Sequence, residues 1–176
     1  LAFALGLGDQ GVFVSSTLEP RIAAVDVPRP ASHWHTVQPA TLYTWLAQAP
    51  VEWRLPAYLG EDVGGEGVGF DLASAPHLLI GGTTGSGKSV CLHALLLSLL
   101  QRHSPERLQL LLIDPKRVEL APYAKLPHVI GQQVLCDAPD ALTGLQQLVD
   151  VMNQREATLA SLGARDIDDP RAAGQG

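Results

Sequence analysis

The sequence predicts an α/β protein, in which short apolar strands alternate with helices around one glycine-rich turn. Three adjacent segments lead to this prediction. Residues 77–80 (HLLI) form a short apolar run that is typical of a buried strand. Residues 80–90 (IGGTTGSGKSV) carry four glycines and form the turn. Residues 89–101 contain no Gly or Pro and are apolar nearly all round, as expected of a helix buried against a sheet.

The turn fits the phosphate-binding pattern G-x-x-x-x-G-K-[ST]. Glycines let the backbone turn tightly with its N–H groups pointing inward, and the following helix adds the positive end of its dipole. A lysine in this pattern reaches the β- and γ-phosphates, and the hydroxyl after it ligates Mg²⁺. The sequence therefore predicts a P-loop NTPase that binds ATP and Mg²⁺, whereas a glycine-rich surface turn is the alternative that the flanking strand and helix disfavour. The predicted catalytic residues are Lys88 and Ser89, the predicted nucleotide contacts are Gly82, Thr83, Thr84, Gly85, Ser86, Gly87, Lys88, Ser89 and Val90, and Ser89 is the predicted Mg²⁺ ligand.

A second strand and a long helix follow. The run LQLLLI over 108–113 predicts a strand parallel to 77–80, since a connection of this length implies a right-handed crossover. After a loop-rich stretch over 117–136, Asp137 is a plausible N-cap and Gly163 a helix stop. One side of this helix carries apolar residues that we expect to be core. They are Leu142, Leu145, Val149, Met152, Leu159 and Leu162.

Asp114 ends the second strand and has two interpretations. An apolar strand that ends in Asp is how a P-loop enzyme presents its second Mg²⁺ ligand, the Walker B carboxylate. An Asp before Pro115 is also ordinary turn chemistry, in which the carboxylate accepts hydrogen bonds from nearby backbone N–H groups. The residues alone do not separate these alternatives.

The residues before 77 have a different sequence pattern from those that follow. Residues 12–14 and 22–27 predict short strands, residues 41–49 predict a helix, and residues 1–7 resemble a helix end. The run 60–69 holds five glycines and predicts a loop. The predicted division is a small α+β unit over 1–58, a loop-rich connector over 59–75, the nucleotide-binding fold over 76–163, and a mobile or truncated tail over 164–176.

Composition limits the class of protein. The 176 residues are 46% hydrophobic and 17% charged, which indicates a globular chain with a net charge of −6. Only 77–135 is basic, which phosphate binding explains, so the charge gives no argument for DNA. Cys91 and Cys136 are too few for a disulfide framework, and His33 and His35 are better explained as surface residues than as zinc ligands. The chain opens on Leu1 and stops soon after a helix, so we expect a fragment cut at both ends. With two cysteines that are not closely spaced and no signal peptide pattern, a reduced cytoplasmic setting is the expectation.

The chain resembles the motor region of the FtsK/SpoIIIE DNA translocases. The specific segments are PHLLIGGTTGSGKSV (76–90) and LLIDPKRVELAPYAKLPHV (111–129), followed by LASLG (159–163). The segment LGEDVGGEGVGFDLASAPH (59–77) resembles the entry into that motor, and RIAAVDVPRP (21–30) is more weakly similar. The departures are Gly81, where the family often has Ala, and His93, where it often has Asn; neither touches the phosphate-binding pattern.

The resemblance implies a fold, an activity and partners. It implies the N-terminal half of a RecA-like ATPase motor, with a three-layer parallel sheet, in a homo-oligomer that forms a hexameric ring around double-stranded DNA. Such a motor hydrolyses ATP to move DNA in chromosome segregation and cell division. In the family the Walker B strand comes later and ends in Asp-Glu, so the catalytic carboxylates, the arginine finger and the DNA-contacting loops are expected beyond this chain. Asp114 then becomes a structural or interface residue. Membrane attachment at the inner cell membrane is expected only through N-terminal segments that this piece lacks.

Two alternatives to the DNA translocase remain. A secretion or conjugation ATPase shares this architecture, although the Asp-Pro-Lys run at Asp114 favours the chromosomal branch. A P-loop nucleotide-binding module without a motor, or a small-molecule kinase, would lack the later Asp-Glu strand. On the first hypothesis the 176-residue chain alone binds nucleotide weakly and turns it over negligibly, because it supplies neither a positioned water nor a trans arginine.

Overall fold

The computed structural model describes residues 12–17, 21–27, 36–62, 64–75 and 77–173, and the chain divides into two compact units, 1–38 and 39–176. The predicted helix end at 1–7 and the two histidines at 33 and 35 lie outside the described residues. Within the described part, the helices are α1 (Pro39–Gln48), α2 (Lys88–Arg102) and α3 (Ala138–Leu162), and the strands are β1 (Phe13–Ser16), β2 (Ala23–Asp26), β3 (Pro56–Glu61), β4 (Gly67–Asp71), β5 (Leu110–Ile113) and β6 (Val129–Leu135).

The first unit contains an antiparallel hairpin of β1 and β2. Phe13 lies opposite Asp26 and Ser16 lies opposite Ala23. Both strands were predicted from short β-branched and apolar runs, and both predictions are confirmed. The side chains of this hairpin are mostly exposed, with Phe13 68% accessible.

A second antiparallel hairpin, β3 and β4, occupies much of the stretch expected to be a loop-rich connector. Its glycines serve close packing rather than a loop. A Cβ on Gly67 would lie 2.7 Å from the Trp45 ring, and one on Gly69 would lie 2.7 Å from the Tyr58 ring. These rings stack at 5.6 Å, and the Tyr58 hydroxyl donates to the Trp45 carbonyl at 2.9 Å. The predicted boundary at 58/59 falls inside β3, and the four-part division stays a prediction.

Helix α2 lies at the centre of the second unit and packs against β3 on one side. The Ser98 side chain is fully buried there: its Oγ donates to the Ala94 carbonyl at 2.8 Å and accepts from the Tyr58 N–H at 3.1 Å. On its other side α2 contributes Leu96 to the main apolar cluster. The buried members of that cluster are Leu96, Leu112, Leu120, Tyr123 and Val129.

The parallel strand pair differs from the predicted one. Strand β5 pairs in parallel with β6, not with 77–80, and the described strands form three two-stranded sheets rather than one larger sheet. Residues 77–80 form no strand, and Leu79 is 95% exposed, so the predicted buried strand before the turn is wrong. A run of this length needs a neighbouring strand to satisfy its backbone groups, and among the described residues no strand pairs with it.

Helix α3 begins and ends where predicted but buries a different side. The Asp137 carboxylate accepts from the Asp140 N–H, and Gly163 ends the helix at φ 63°. Gly144 is the buried residue, because a Cβ there would lie 2.7 Å from Leu135 of β6. At 100° per residue, Gly144 lies about 200° round the helix from Leu142. The predicted core stripe is therefore largely exposed, with Leu142 68% and Met152 57% accessible.

The segment after α3 is tethered. Arg54 pairs with Asp166 at 3.3 Å and with Asp168 at 2.7 Å, and Ala172 is buried. The tail expected to be mobile or truncated thus makes defined contacts through residue 173. None of the described helices is both long and apolar enough to cross a bilayer.

Candidate phosphate-binding site

The glycine-rich turn adopts a backbone that only glycine takes without strain. Gly85 has φ 79° and Gly87 has φ 88°, both in the left-handed region. The Ser86 N–H donates to the Thr83 carbonyl at 3.2 Å and closes the turn. A side chain at Gly82 would overlap the Ser86 hydroxyl. The glycines of the sequence pattern therefore stand where the backbone conformation or the available space requires them.

The first turn of α2 leaves its N–H groups available. The N-cap is Gly87, which has no side chain to accept from them, and the first i→i−4 hydrogen bond runs from the Cys91 N–H to the Gly87 carbonyl at 2.8 Å. The N–H groups of Lys88, Ser89 and Val90 precede that bond. The first turn carries no acidic residue that would occupy the positive end of the dipole. This arrangement fits an anion such as a phosphate group.

The structure brings the predicted site residues together at one end of α2. Residues 81–88 are exposed, including the Lys88 side chain that begins the helix. Val90 is 71% exposed, so it can contribute its backbone rather than a packed side chain. Ser89 is the exception, because its side chain is half-buried and points to a protein partner. Among the described residues no cluster of three or more His, Cys, Asp or Glu side chains could hold a metal ion, and the role of Ser89 as a Mg²⁺ ligand stays a prediction.

The partner of Ser89 is Glu119, a residue to which the sequence analysis gave no role. The Ser89 Oγ donates to the Glu119 Oε1 at 2.6 Å. This distance is typical of a strong hydrogen bond from a hydroxyl to a carboxylate. The two residues are 30 positions apart, so no local pattern could have predicted the contact. The only signal was the position of Glu119 five residues after a strand-terminal Asp.

Asp114 holds the loop that carries Glu119. Its Oδ2 accepts from the N–H groups of Val118, Glu119 and Leu120 at 2.9, 2.9 and 3.1 Å, and its Oδ1 accepts from the Lys116 N–H at 3.0 Å. Asp114 is only 6% exposed. These backbone hydrogen bonds, led by that from Leu120, lower the pKa of the Asp114 carboxyl and outweigh the effect of burial. Of the two interpretations, the structure therefore supports turn chemistry: both carboxylate oxygens are engaged by the loop.

The far end of the same loop is fastened to α2. The Tyr123 ring stacks on the His93 ring with centroids 5.6 Å apart, and the Tyr123 hydroxyl lies 2.8 Å from His93 Nδ1. Tyr123 is buried in the apolar cluster, and burial raises the pKa of its hydroxyl. The segment 114–123 thus contacts α2 at two points, through Glu119 at Ser89 and through Tyr123 at His93.

Comparison with known proteins places this site in a family. The sequence model of the FtsK/SpoIIIE family matches residues 44–175, and the chain therefore belongs to the FtsK/SpoIIIE family. The match includes the whole phosphate-binding turn, α2 and Glu119. The predicted resemblance is confirmed, and it identifies the α/β chain as a P-loop type of protein.

Several curated relatives of the chain are named as DNA translocases. The chain is 49% identical over 114 residues, or 65% of its length, to the DNA translocase SftA of Bacillus subtilis. It is 36% identical over 170 residues, or 93% of its length, to the DNA translocase FtsK of Bradyrhizobium diazoefficiens, and 49% identical over 113 residues, or 64% of its length, to that of Treponema pallidum. The matched regions cover 12%, 20% and 14% of these relatives. The chain spans at most about a fifth of their length.

Proposed function

We propose that this chain is the ATP-binding part of an ATP-driven, double-stranded DNA translocase that acts in chromosome segregation and cell division. The observation that carries the proposal is the glycine turn of 82–87, which runs into the uncapped start of α2. The printed names of the relatives, which are DNA translocases, support DNA as the substrate of the whole protein. The finer architecture, a RecA-like parallel sheet in a hexameric ring, is part of the proposal.

Each residue of the turn has a role that follows from its position. The backbone N–H groups from Thr84 to Ser89 surround the β-phosphate, apart from that of Ser86, which donates to the Thr83 carbonyl at 3.2 Å. Lys88 is exposed beside them and neutralises charge on the γ-phosphate. The Ser89 hydroxyl provides a ligand to Mg²⁺. A bound Mg²⁺ would neutralise part of the negative charge on the phosphates.

The direct test is nucleotide binding by the purified chain. We expect a fluorescent ATP analogue to bind weakly in Mg²⁺ buffer, and Lys88→Ala to weaken that binding at least about tenfold, since one charge-assisted contact to phosphate is worth 1.4 kcal/mol or more. Lys125→Ala, which removes another exposed lysine, is the matched control and is expected to bind like the wild type. Equal binding by wild type and Lys88→Ala would refute the phosphate site.

A second measurement concerns turnover. We expect negligible ATP hydrolysis by the 176-residue chain, and hydrolysis stimulated by double-stranded DNA for a longer protein that contains it. Robust turnover by the chain alone, abolished by Lys88→Ala, would show a complete catalytic site and contradict the proposal. Stimulation of the longer protein by a peptide instead of DNA would favour a secretion motor.

A further inference from the structure

The hydrogen bond between Ser89 and Glu119 has a defined polarity. A hydroxyl has one hydrogen to donate and two lone pairs to accept with, whereas an ionised carboxylate can only accept. At 2.6 Å the Ser89 hydrogen is therefore committed to Glu119 Oε1. Both lone pairs of the Ser89 oxygen remain for other partners. That is the state that a hydroxyl needs in order to ligate a cation, and a carboxylate acceptor increases the electron density on the ligating oxygen.

Glu119 is held in place by the fold rather than by this contact alone. Its N–H donates to Asp114 Oδ2 at 2.9 Å, and the next residue, Leu120, is buried in the apolar cluster. The Asp114 N–H donates to the Leu135 carbonyl at 2.9 Å, which ties the loop to β6. Arg117 adopts a left-handed φ of 59°, a conformation that costs a non-glycine residue energy and that surrounding contacts must maintain. The loop thus presents Glu119 in one fixed position beside the start of α2.

We infer that Glu119 is a positioning residue for the metal-dependent part of nucleotide binding, acting through the Ser89 hydroxyl. It orients that hydroxyl and strengthens it as a ligand, and it does not contact the nucleotide. The inference rests on the proposed function, because it concerns the same site. It assigns a role to the Asp-Pro-Lys loop, whose carboxylate at 114 holds the loop while the carboxylate at 119 acts on the site.

The test compares nucleotide affinity with and without Mg²⁺. A fluorescent ATP analogue is titrated into wild type, Glu119→Ala and Glu119→Gln, once with Mg²⁺ and once with a chelator. We expect Glu119→Ala to reduce the gain in affinity due to Mg²⁺ by about tenfold or more, the usual effect of losing a residue that orients a metal ligand. Affinity in chelator is expected to be unchanged. Glu119→Gln keeps a neutral acceptor and is expected to fall between the two. Glu156→Ala, on the exposed side of α3, is the matched control.

A second measurement needs no nucleotide. Thermal unfolding of Ser89→Ala, Glu119→Gln and the double variant gives their coupling in the empty chain, and we expect the double variant to be no less stable than Glu119→Gln alone. If Glu119→Ala does not fold, Glu119→Gln carries the binding test. An unchanged Mg²⁺ effect in the folded variants would overturn the inference and leave the phosphate site standing. So would an equal loss of affinity in both buffers. A wild type that binds nucleotide in neither buffer would overturn the proposed function and the inference with it.

Discussion

Asp114 illustrates how much one buried carboxylate can organise. Its two oxygens accept four backbone hydrogen bonds from residues 116–120, and these bonds fix the loop that places Glu119 beside Ser89. A carboxylate used in this way is a structural anchor and has little capacity left for a metal ion. The same bonds favour the charged form, which is why the pKa of Asp114 is lowered.

Asp114→Asn is expected to destabilise the chain. An amide offers one acceptor oxygen, and its NH₂ group would face N–H donors, so at least one buried N–H loses its partner. We expect Tm at pH 7 to fall by about 5 °C or more. Because the folded pKa is lowered, the wild-type contribution is fully present above the ordinary value of 3.8 and is lost as pH falls through the folded pKa. Thermal melts from pH 7 to pH 2 check both points. A variant with an equally steep loss of stability in acid would show that Asp114 is not responsible.

Residues whose role is set by local backbone could be predicted from the sequence, and others could not. The glycines at 82, 85 and 87 were recognisable because a tight turn before a helix needs them at that spacing. Their binding roles stay predictions. Glu119 was not recognisable, since its partner lies 30 residues away and the contact exists only after α2 and the loop pack together.

Ser98 joins two elements that lie far apart in the sequence. Its hydroxyl satisfies the Tyr58 N–H of β3 while donating to the carbonyl of Ala94 within α2. The side chain is fully buried, so water cannot replace it. This contact fixes α2 against the β3–β4 hairpin by a polar bond as well as by apolar packing.

Ser98→Ala is therefore expected to lower the free energy of unfolding by more than the removal of one exposed hydroxyl would. It leaves the buried Tyr58 N–H without an acceptor, a loss of about 1–3 kcal/mol, or roughly 3–10 °C in Tm for a chain of this size. Ser161→Ala, which removes a hydroxyl that donates to the Thr158 carbonyl on the exposed side of α3, is the matched control and is expected to shift Tm by less than about 2 °C. Thermal denaturation measures both shifts in Tm. Equal small shifts would mean that Tyr58 finds another acceptor.

At the level of elements, helices were predicted better than strands. Helices α2 and α3 depend on local hydrogen bonds and on end signals that stand in the sequence, such as Asp137 and Gly163. Strands depend on a partner. Residues 77–80 have strand-like composition but no neighbouring strand, whereas β3 and β4 pair in spite of their glycines because the glycines admit the rings of Trp45 and Tyr58.

Within the second unit, helix α3 exposes an apolar face. The close approach of Gly144 to β6 fixes which side of the helix is buried, and the stripe of Leu142, Leu145, Val149 and Met152 is left 44–68% exposed. The sequence predicted the stripe correctly but not its environment, because periodicity shows that one side is apolar without showing what covers it. The larger parallel sheet implied by the resemblance stays a prediction, since the described strands form three two-stranded sheets.

This face predicts association of the isolated chain in solution. We expect the wild type to bind an apolar dye and to self-associate with concentration, and the double variant Leu142→Glu, Met152→Glu to lose both properties with little change in Tm, since these side chains are mostly exposed. The control is Gln147→Glu with Gln154→Glu, which adds the same charges at two exposed positions of α3 outside the stripe. Sedimentation at several concentrations distinguishes the outcomes. A large fall in Tm for the first variant alone would show that the stripe is buried after all.

We expect the first turn and the buried middle of α2 to differ in the rate at which their backbone amide protons exchange with deuterated water. The amides of Lys88, Ser89 and Val90 precede the first helical hydrogen bond and are expected to exchange almost as fast as in an unfolded chain, whereas those near the buried Leu95 and Leu99 are expected to exchange only on unfolding of the helix. A phosphate bound at the first turn would slow the exchange of the Lys88, Ser89 and Val90 amides and leave the exchange of those near Leu95 and Leu99 unchanged. The exchange rates of these three backbone amide protons therefore report whether the site is occupied, and the measurement needs neither a labelled nucleotide nor ATP hydrolysis.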